Sequence, residues 1–187
     1  MQHSLLATIV AAAVALYGTR AAAASDQAFG LAAGLGLASP SGSDVKGSGS
    51  GGYAEVEYIY RPNDWFTPRA YTGVLLSSPK SDCGIGVSPC DVSANIFFLG
   101  GKVRLMAPIP YIGPFIEVGV GASAGRISTR SGQAVDAAGS GIMYHVPLAL
   151  GLAMGEQHRY ELSFQYLYHP EQKHVCGAVA VGVGFDL

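Results

Sequence analysis

The chain has 187 residues, of which 49% are hydrophobic and only 13% are charged, and it contains 26 glycines. Ordinary globular domains carry about 25% charged residues, and the net charge of −2 leaves no basic surplus, so the composition disfavours disordered chains and nucleic-acid-binding domains. A helical membrane protein needs about 20 consecutive apolar residues per span, which only the N-terminus approaches. The composition therefore indicates a β structure whose apolar surface is dispersed.

An apolar run at residues 5–18, followed by four alanines at 21–24, has the layout of a secretory signal peptide. Cleavage after Ala24 predicts a signal peptide of residues 1–24 and one mature domain of residues 25–187. A membrane anchor is the alternative, although the run is short for a span. Export to an oxidising compartment also predicts a disulfide between Cys83 and Cys90, which bracket a loop-like stretch and leave Cys176 over.

After residue 24 the chain alternates between segments of period-two hydrophobicity and short runs of turn residues. Strict alternation over this length favours strands over helices, and the segments are long enough to cross a bilayer, which takes ~9–11 tilted residues. The segment at 69–77 is apolar on both faces, so its orientation stays open. In chain order, the eight segments lie near residues 29–37, 54–61, 69–77, 92–106, 114–127, 141–154, 159–169 and 175–187.

One face of these segments is Leu, Val, Phe and Tyr, whereas the other is Gly, Ala and Ser with scattered charges. Large apolar residues facing lipid around a narrow lumen are typical of a transmembrane barrel, so we predict an all-β, eight-stranded antiparallel up-and-down transmembrane β-barrel. Buried charges must be paired, and a turn near residue 110 places Glu117 close to Lys102 and Arg104. The predicted lumen ion pairs involve Glu55, Glu57, Lys102, Arg104, Glu117, Arg159 and Glu161.

Connection lengths support the same architecture, because long connections at 39–50, 78–91 and 129–140 alternate with shorter ones at 62–68, 107–113 and 155–158. The connection at 170–174 is short and departs from this pattern. Long loops outside the cell and short turns in the periplasm place both termini in the periplasm. Aromatic residues lie mostly near predicted strand ends, as membrane girdles do; they are Tyr53, Tyr58, Tyr60, Trp65, Phe66, Tyr71, Tyr111, Tyr144, Tyr160 and Tyr168.

Pro147 opposes this assignment, because a proline inside the sixth strand removes a hydrogen bond from a sheet that has no spare edge. A β-bulge at that position would reconcile the proline with a closed barrel.

Two glycine motifs resemble catalytic or cofactor-binding signatures. Residues 121–125 read G-x-S-x-G, the nucleophile elbow of serine hydrolases, and Gly119, Gly121 and Gly125 approach a dinucleotide fingerprint. Both signatures need a following helix, and the polar stretch after Gly125 has no helical pattern. Small residues on the lumen face therefore account better for both motifs.

Metal-ligand residue types cluster where the seventh segment gives way to the eighth, at His169, Glu171, His174 and Cys176. A polar extracellular loop explains this cluster better than a metal site. His145 falls on the lumen face, where a hydrogen-bonded interior histidine is the favoured interpretation. No cofactor is predicted.

Residues 111–121, Tyr-Ile-Gly-Pro-Phe-Ile-Glu-Val-Gly-Val-Gly, are similar to a strand of the lipid A deacylase (acyloxyacyl hydrolase-like) family, and the similarity extends loosely through 156–187. This resemblance implies an eight-stranded outer-membrane barrel. Family members remove an acyl chain from lipid A with a His and a Ser spaced H-x-S on a lipid-facing stretch of the penultimate strand, and a Glu orients the His. Tyr166 and Tyr168 occupy the matching positions here, so the resemblance supports the fold and argues against the hydrolase activity.

The sequence thus predicts a non-catalytic barrel in the outer membrane of a Gram-negative-type envelope, with a structural or surface-interaction role. Its expected partners are outer-membrane lipid and lipopolysaccharide, an unknown ligand at the extracellular loops, and no nucleic acid; it is expected to be a monomer or small homo-oligomer. One alternative is a lipid A deacylase-like hydrolase with a displaced site. Another is a soluble periplasmic barrel that binds an apolar ligand.

Overall fold

The computed structural model describes residues 26–40, 49–79, 91–131, 134–171 and 174–187. The predicted signal peptide and the predicted Cys83–Cys90 disulfide lie outside these residues. The described chain is all β, and none of it forms a helix long and apolar enough to cross a membrane. The eight strands are β1 (Gln27–Pro40), β2 (Gly49–Tyr60), β3 (Phe66–Pro79), β4 (Asp91–Met106), β5 (Ile112–Ser131), β6 (Ala134–Met154), β7 (Tyr160–His169) and β8 (His174–Asp186).

Each strand pairs antiparallel with its neighbour in the chain, and β1 also pairs with β8, so the sheet closes into an up-and-down barrel. The predicted fold class is confirmed. We call the end of the barrel where β1 begins and β8 ends the terminal rim, and the opposite end the loop end. Because the sheet closes, no strand forms an edge along the whole wall. The backbone N–H and C=O groups of the wall therefore pair with neighbouring strands and need no other cover.

Side chains alternate between the two faces of the wall with the period of two that strands impose. On β5, for example, Val118 and Val120 face outward and are 44% and 71% exposed, whereas Glu117 faces the lumen and is 2% exposed. The orientation of β3, which the sequence left open, is fixed by Arg69 and Tyr71, both of which are buried in the lumen.

Pro147 lies in β6, and the closed barrel accommodates it without a β-bulge. Pairing between β5 and β6 lapses between Val118↔Leu148 and Gly121↔His145 and then resumes in the same register. The other side of β6 stays paired, with Pro147 opposite Leu167. A local lapse suffices because proline lacks only one donor and needs no extra residue in the strand. The register shift of this hairpin lies instead at Thr129/Arg130.

The long connection predicted at 129–140 is mostly strand, because β5 and β6 extend to Ser131 and Ala134. Gly125 and Gly141 pair directly across this hairpin, and both have positive φ, +154° and +120°. Residues with side chains rarely adopt the Gly141 conformation, so this position favours glycine. We call residues 125–131 with 134–141 the β5–β6 arm.

Candidate functional site in the barrel lumen

The half of the lumen nearer the terminal rim is filled by charged side chains from five strands. All are buried except Glu161, which is partly buried, and they lie between β-strands whose outward faces are apolar. We call this set the ion network. Its members are the carboxylates of Glu55, Glu57, Glu117 and Glu161 and the cations of Arg69, Lys102 and Arg104.

Each cation in the ion network contacts two or more carboxylates. Lys102 Nζ lies 2.9 Å from Glu55 Oε1 and 2.9 Å from Glu117 Oε2, and it also contacts Glu57. Arg104 Nε donates to Glu117 Oε1 at 2.7 Å, and its Nη2 donates to Glu161 Oε2 at 2.6 Å. These contacts tie β2, β4, β5 and β7 together across the lumen, where unpaired charges would carry a large desolvation cost.

Arg69 completes the ion network from β3 by donating to Glu57 and to Glu161 Oε1, the latter at 3.2 Å. Arg69 could not be assigned to the lumen from the sequence, because the segment at 69–77 is apolar on both faces. The closeness of Glu117 to Lys102 and Arg104, in contrast, follows from strand register, since Arg104 pairs directly opposite Glu117. The turn between β4 and β5 is therefore enough to predict the contact between Arg104 and Glu117. The contact between Arg69 and Glu161 instead depends on closure of the barrel, since β3 and β7 are not neighbours.

Arg159 differs from the expectation, because it lies at the terminal rim instead of in the ion network. It precedes the first residue of β7, so its side chain reaches Asp186 Oδ2 at 2.6 Å, while Arg61 Nη1 contacts Asp186 Oδ1 at 2.7 Å. A cavity of about 460 Å³ opens at this rim and is lined in part by Arg61, Arg69 and Arg104. The ion network therefore meets solvent from the terminal rim.

Further toward the loop end, four polar side chains from four strands form a buried hydrogen-bonded chain, which we call the histidine cluster. Tyr71 Oη and His145 Nε2 are 2.6 Å apart, and His145 Nδ1 is 2.8 Å from Ser123 Oγ. Ser123 Oγ is also 3.1 Å from His169 Nε2. Both ring nitrogens of His145 are thus hydrogen-bonded, so this histidine is a satisfied interior residue.

The G-x-S-x-G motif builds this cluster, and it lies within a strand instead of at a strand-to-helix turn. A Cβ at Gly121 would collide with the Tyr71 hydroxyl and the His145 ring, so glycine makes room for their hydrogen bond. Ser123 links the two histidines, and a Cβ at Gly125 would collide with the backbone of Asn95. Ser123 and His145 are each 1% exposed, which leaves no approach for a substrate that a nucleophilic serine would need.

Apolar side chains pack around the histidine cluster and close the lumen. The rings of Tyr53 and Phe98 stack with centroids 5.7 Å apart, and Phe98 also contacts the rings of Tyr71 and His145. The girdle positions predicted for Tyr53 and Tyr71 are wrong, since both rings face the lumen and are 4% exposed. The larger apolar side chains of this plug are Tyr53, Tyr71, Leu75, Ile96, Phe98, Met143 and Leu167.

Of the four metal-ligand residue types near the β7–β8 turn, the three whose side chains are described do not converge on one site. His169 and Cys176 are buried in the lumen, and Cys176 is a free thiol, whereas Glu171 is exposed. The side chain of His174 lies outside the described part of the structure. Within that part, no three His, Cys, Asp or Glu side chains are placed to hold a metal ion.

Tyr166 and Tyr168, at the positions implied for the catalytic pair of the lipid A deacylase family, alternate with inward residues of β7 and so face outward. His169 faces inward and is fully buried. It therefore contacts Ser123 in the lumen and is not displayed toward lipid.

Solved structures of bacterial proteins share this architecture. The barrel is similar to Neisserial surface protein A, with a TM-score of 0.61 and 14% identity over 89% of this chain and 100% of that chain. It is also similar to the N-terminal β-barrel domain of Pseudomonas aeruginosa OprF, with a TM-score of 0.52 and 12% identity over 87% and 100% of the two chains. No protein-family model matches the chain, and no curated protein matches its sequence. At these identities the similarity shows the fold alone.

Proposed function

We propose that the chain is an integral outer-membrane protein of a Gram-negative-type envelope, whose sealed barrel anchors the loops and the β5–β6 arm at the membrane surface. The observation that supports this most is the sidedness of the wall. Charged side chains fill the lumen, whereas large apolar side chains face outward on every strand, among them Leu35, Val56, Leu76, Phe97, Val120, Leu150, Phe164 and Val181. Water favours the reverse arrangement, and a bilayer favours this one.

The outward aromatic residues support the same placement. Trp65, Tyr111 and Tyr160 lie at or near the terminal rim and are 55–62% exposed, and Tyr144 lies near the loop end and is 71% exposed. Tyrosine and tryptophan at both ends of an apolar band are typical of the two membrane–water interfaces. The short turns at the terminal rim favour a periplasmic location for both termini, as the sequence predicted.

A structural or surface-interaction role suits the filled lumen better than transport does. An eight-stranded barrel has an interior just wide enough for side chains, and here the ion network and the apolar plug occupy it. The same filling argues against a soluble barrel with an apolar ligand in its interior. The Ser123–His145 pair does not favour a lipid A hydrolase either, because it is buried in the lumen and lipid lies outside the wall.

Membrane fractionation tests the anchoring directly. The full chain is expected to stay with outer membranes after carbonate extraction, to need detergent for release, and to migrate differently on gels before and after boiling. In planar bilayers it is expected to show no steady conductance. Recovery as a soluble protein without detergent would contradict the proposal.

Lipid A analysis distinguishes the catalytic alternative. Mass spectrometry of lipid A from cells with and without the protein is expected to give the same acyl pattern. Loss of one acyl chain only in cells that express the protein would establish the hydrolase instead, and the buried Ser123→Ala variant would then show whether that serine is involved.

A further inference from the structure

The sheet closes into a barrel, but β6 extends well past the end of its neighbour β7, because β6 has 21 residues and β7 has 10. Pairs between β6 and β7 run from Met154↔Tyr160 to Val146↔Tyr168, and β7 ends at His169. β6 continues to Ala134, so residues 134–145 pair with β5 on one side and with no described residue on the other. We call this unpaired side of residues 134–145 the free edge.

The free edge is exceptional in this barrel. Elsewhere in the described wall, the ladder between two neighbouring strands stops no more than three residues short of a strand end, as at residues 66–68 of β3 on the side of β2. The free edge has 12 residues, from 134 to 145. Because N–H and C=O groups of a strand point alternately to its two sides, about half of these residues direct both groups toward the free edge.

Proteins usually protect such an edge with lysine, proline, inward charges, β-bulges or a very short strand. The register shift between β5 and β6 leaves Asp136 without a partner on β5, near the end of the free edge that is farther from the barrel. Residues 134–145 contain no lysine and no proline, and Asp136 is their only acidic or basic residue apart from His145. At the end next to the barrel, the outward side chains of Ile142 and Tyr144 are 80% and 71% exposed. The free edge therefore combines unpaired backbone with apolar side chains and lacks these protective residues.

We propose that the free edge binds an extended polypeptide segment of another protein, which adds to β6 as a further strand. The partner segment is apolar at alternate residues, to contact Ile142 and Tyr144. Main-chain hydrogen bonds would supply affinity, and the alternate side chains would supply specificity. The inference rests on the proposed function only for the position of the β5–β6 arm outside the lipid.

A second copy fits the free edge less well. Barrel strands tilt by about 35–45° from the membrane normal, so strands on the facing walls of two barrels in one membrane cross instead of aligning. A flexible segment has no such restriction and can follow β6 along its length.

The test uses the full chain folded in detergent and a fluorescein-labelled peptide of 12 alternating valine and threonine residues with a lysine at each end. One control peptide is N-methylated at every second residue, which leaves one edge able to pair, and another is N-methylated at every residue. The first control is expected to bind like the parent peptide, and the second at least tenfold more weakly. Hydrogen–deuterium exchange is expected to slow at residues 134–145 when the peptide binds.

Two variants of the chain locate the interaction. Ser140→Lys adds a charge to the strand segment that has the free edge and is expected to weaken peptide binding at least tenfold. Ser50→Lys, exposed on β2 and paired with both β1 and β3, is expected to leave it unchanged. No binding by a barrel that is still heat-modifiable, or equal binding of the fully methylated peptide, would overturn the inference. So would a dimer in which residues 134–145 are already protected from exchange. Solubility without detergent would instead contradict the proposed function alone.

Discussion

Tyr71 and Ser123 bind opposite ring nitrogens of His145, at 2.6 and 2.8 Å, although the three residues come from strands β3, β5 and β6. His145 is therefore held in one orientation from two sides of the lumen. Because Tyr71 also lies under Lys102, whose Nζ is 5.3 Å from the ring centroid, the histidine cluster and the ion network contact each other. The lumen side chains thus form one connected set of contacts. Substitutions in the histidine cluster, in the ion network and at the terminal rim are expected to lower the free energy of unfolding by different amounts.

Ser123→Ala is expected to lower the free energy of unfolding by about 1–3 kcal/mol, because it removes a hydroxyl shared by two buried histidines. Urea unfolding of the barrel in lipid vesicles measures this change. The matched control is Ser78→Ala, which removes an exposed hydroxyl on β3. Equal midpoints for the two variants would show that the serine of the histidine cluster contributes nothing to stability.

Gly121→Ala is expected to destabilise the barrel by about 1–3 kcal/mol, because the added methyl group overlaps the Tyr71 hydroxyl and the His145 ring. Gly52→Ala is its control, since a Cβ at Gly52 meets no atom within 4 Å. The same urea titration compares them. A Gly121→Ala barrel as stable as Gly52→Ala would contradict the close packing described for the cluster.

Glu117→Gln is expected to destabilise the barrel by about 3–5 kcal/mol, because Lys102 and Arg104 both lose a charged partner inside the lumen. Glu156→Gln, on the exposed β6–β7 turn, controls for the loss of one carboxylate and is expected to have little effect. If both variants unfold at the same urea concentration, the ion network does not stabilise the fold.

Asp186→Asn is expected to lower the free energy of unfolding by about 1 kcal/mol or less, although Asp186 contacts both Arg61 and Arg159. The two arginine side chains are 27% and 29% exposed, and solvent screens such rim pairs. Comparison with Glu117→Gln in the same urea titration tests whether a buried ion pair contributes more to the free energy of unfolding than one at the rim. A larger loss of stability for Asp186→Asn than for Glu117→Gln would contradict this expectation.

Cys176 is expected to resist maleimide in the folded barrel and to react after unfolding, because its side chain is fully buried in the lumen. Mass spectrometry without reductant also tests the predicted Cys83–Cys90 disulfide. One added label after unfolding would support that disulfide, and three added labels would exclude it. A label on Cys176 before unfolding would contradict its inward orientation.

The eight strands and the sidedness of most of them could be predicted from sequence, because period-two alternation is a local property of each segment. Residues 114–127 show this clearly, since Ile116, Val118 and Val120 alternate with Glu117 and three small residues. Alternation failed for 69–77, where both faces are apolar, so Arg69 and the lumen position of Tyr71 were missed. The effect of Pro147 could not be predicted either, because a local lapse in pairing accommodates it without the β-bulge that would also have reconciled it with the barrel.

The histidine cluster could not be predicted, because it depends on the registers of four strands at once. Ser123, His145 and His169 are 22 and 24 residues apart in sequence, and no spacing rule connects them. The G-x-S-x-G pattern resembles a nucleophile elbow, but in the structure it serves the packing of Ser123 and Gly121 against the lumen side chains. The free edge was hidden for a similar reason, since the Gly- and Ala-rich residues 129–140 resemble a loop in composition.

Tryptophan fluorescence in vesicles tests the central claim, that the apolar face of the wall meets lipid. In a Trp65→Phe background, Phe97→Trp places the fluorophore on the outward face and Phe98→Trp places it in the lumen, at adjacent positions of β4. Lipids brominated on their acyl chains are expected to quench Phe97→Trp strongly and Phe98→Trp several-fold less, and aqueous iodide is expected to quench neither. Quenching of Phe97→Trp by iodide with no effect of brominated lipid would contradict the account.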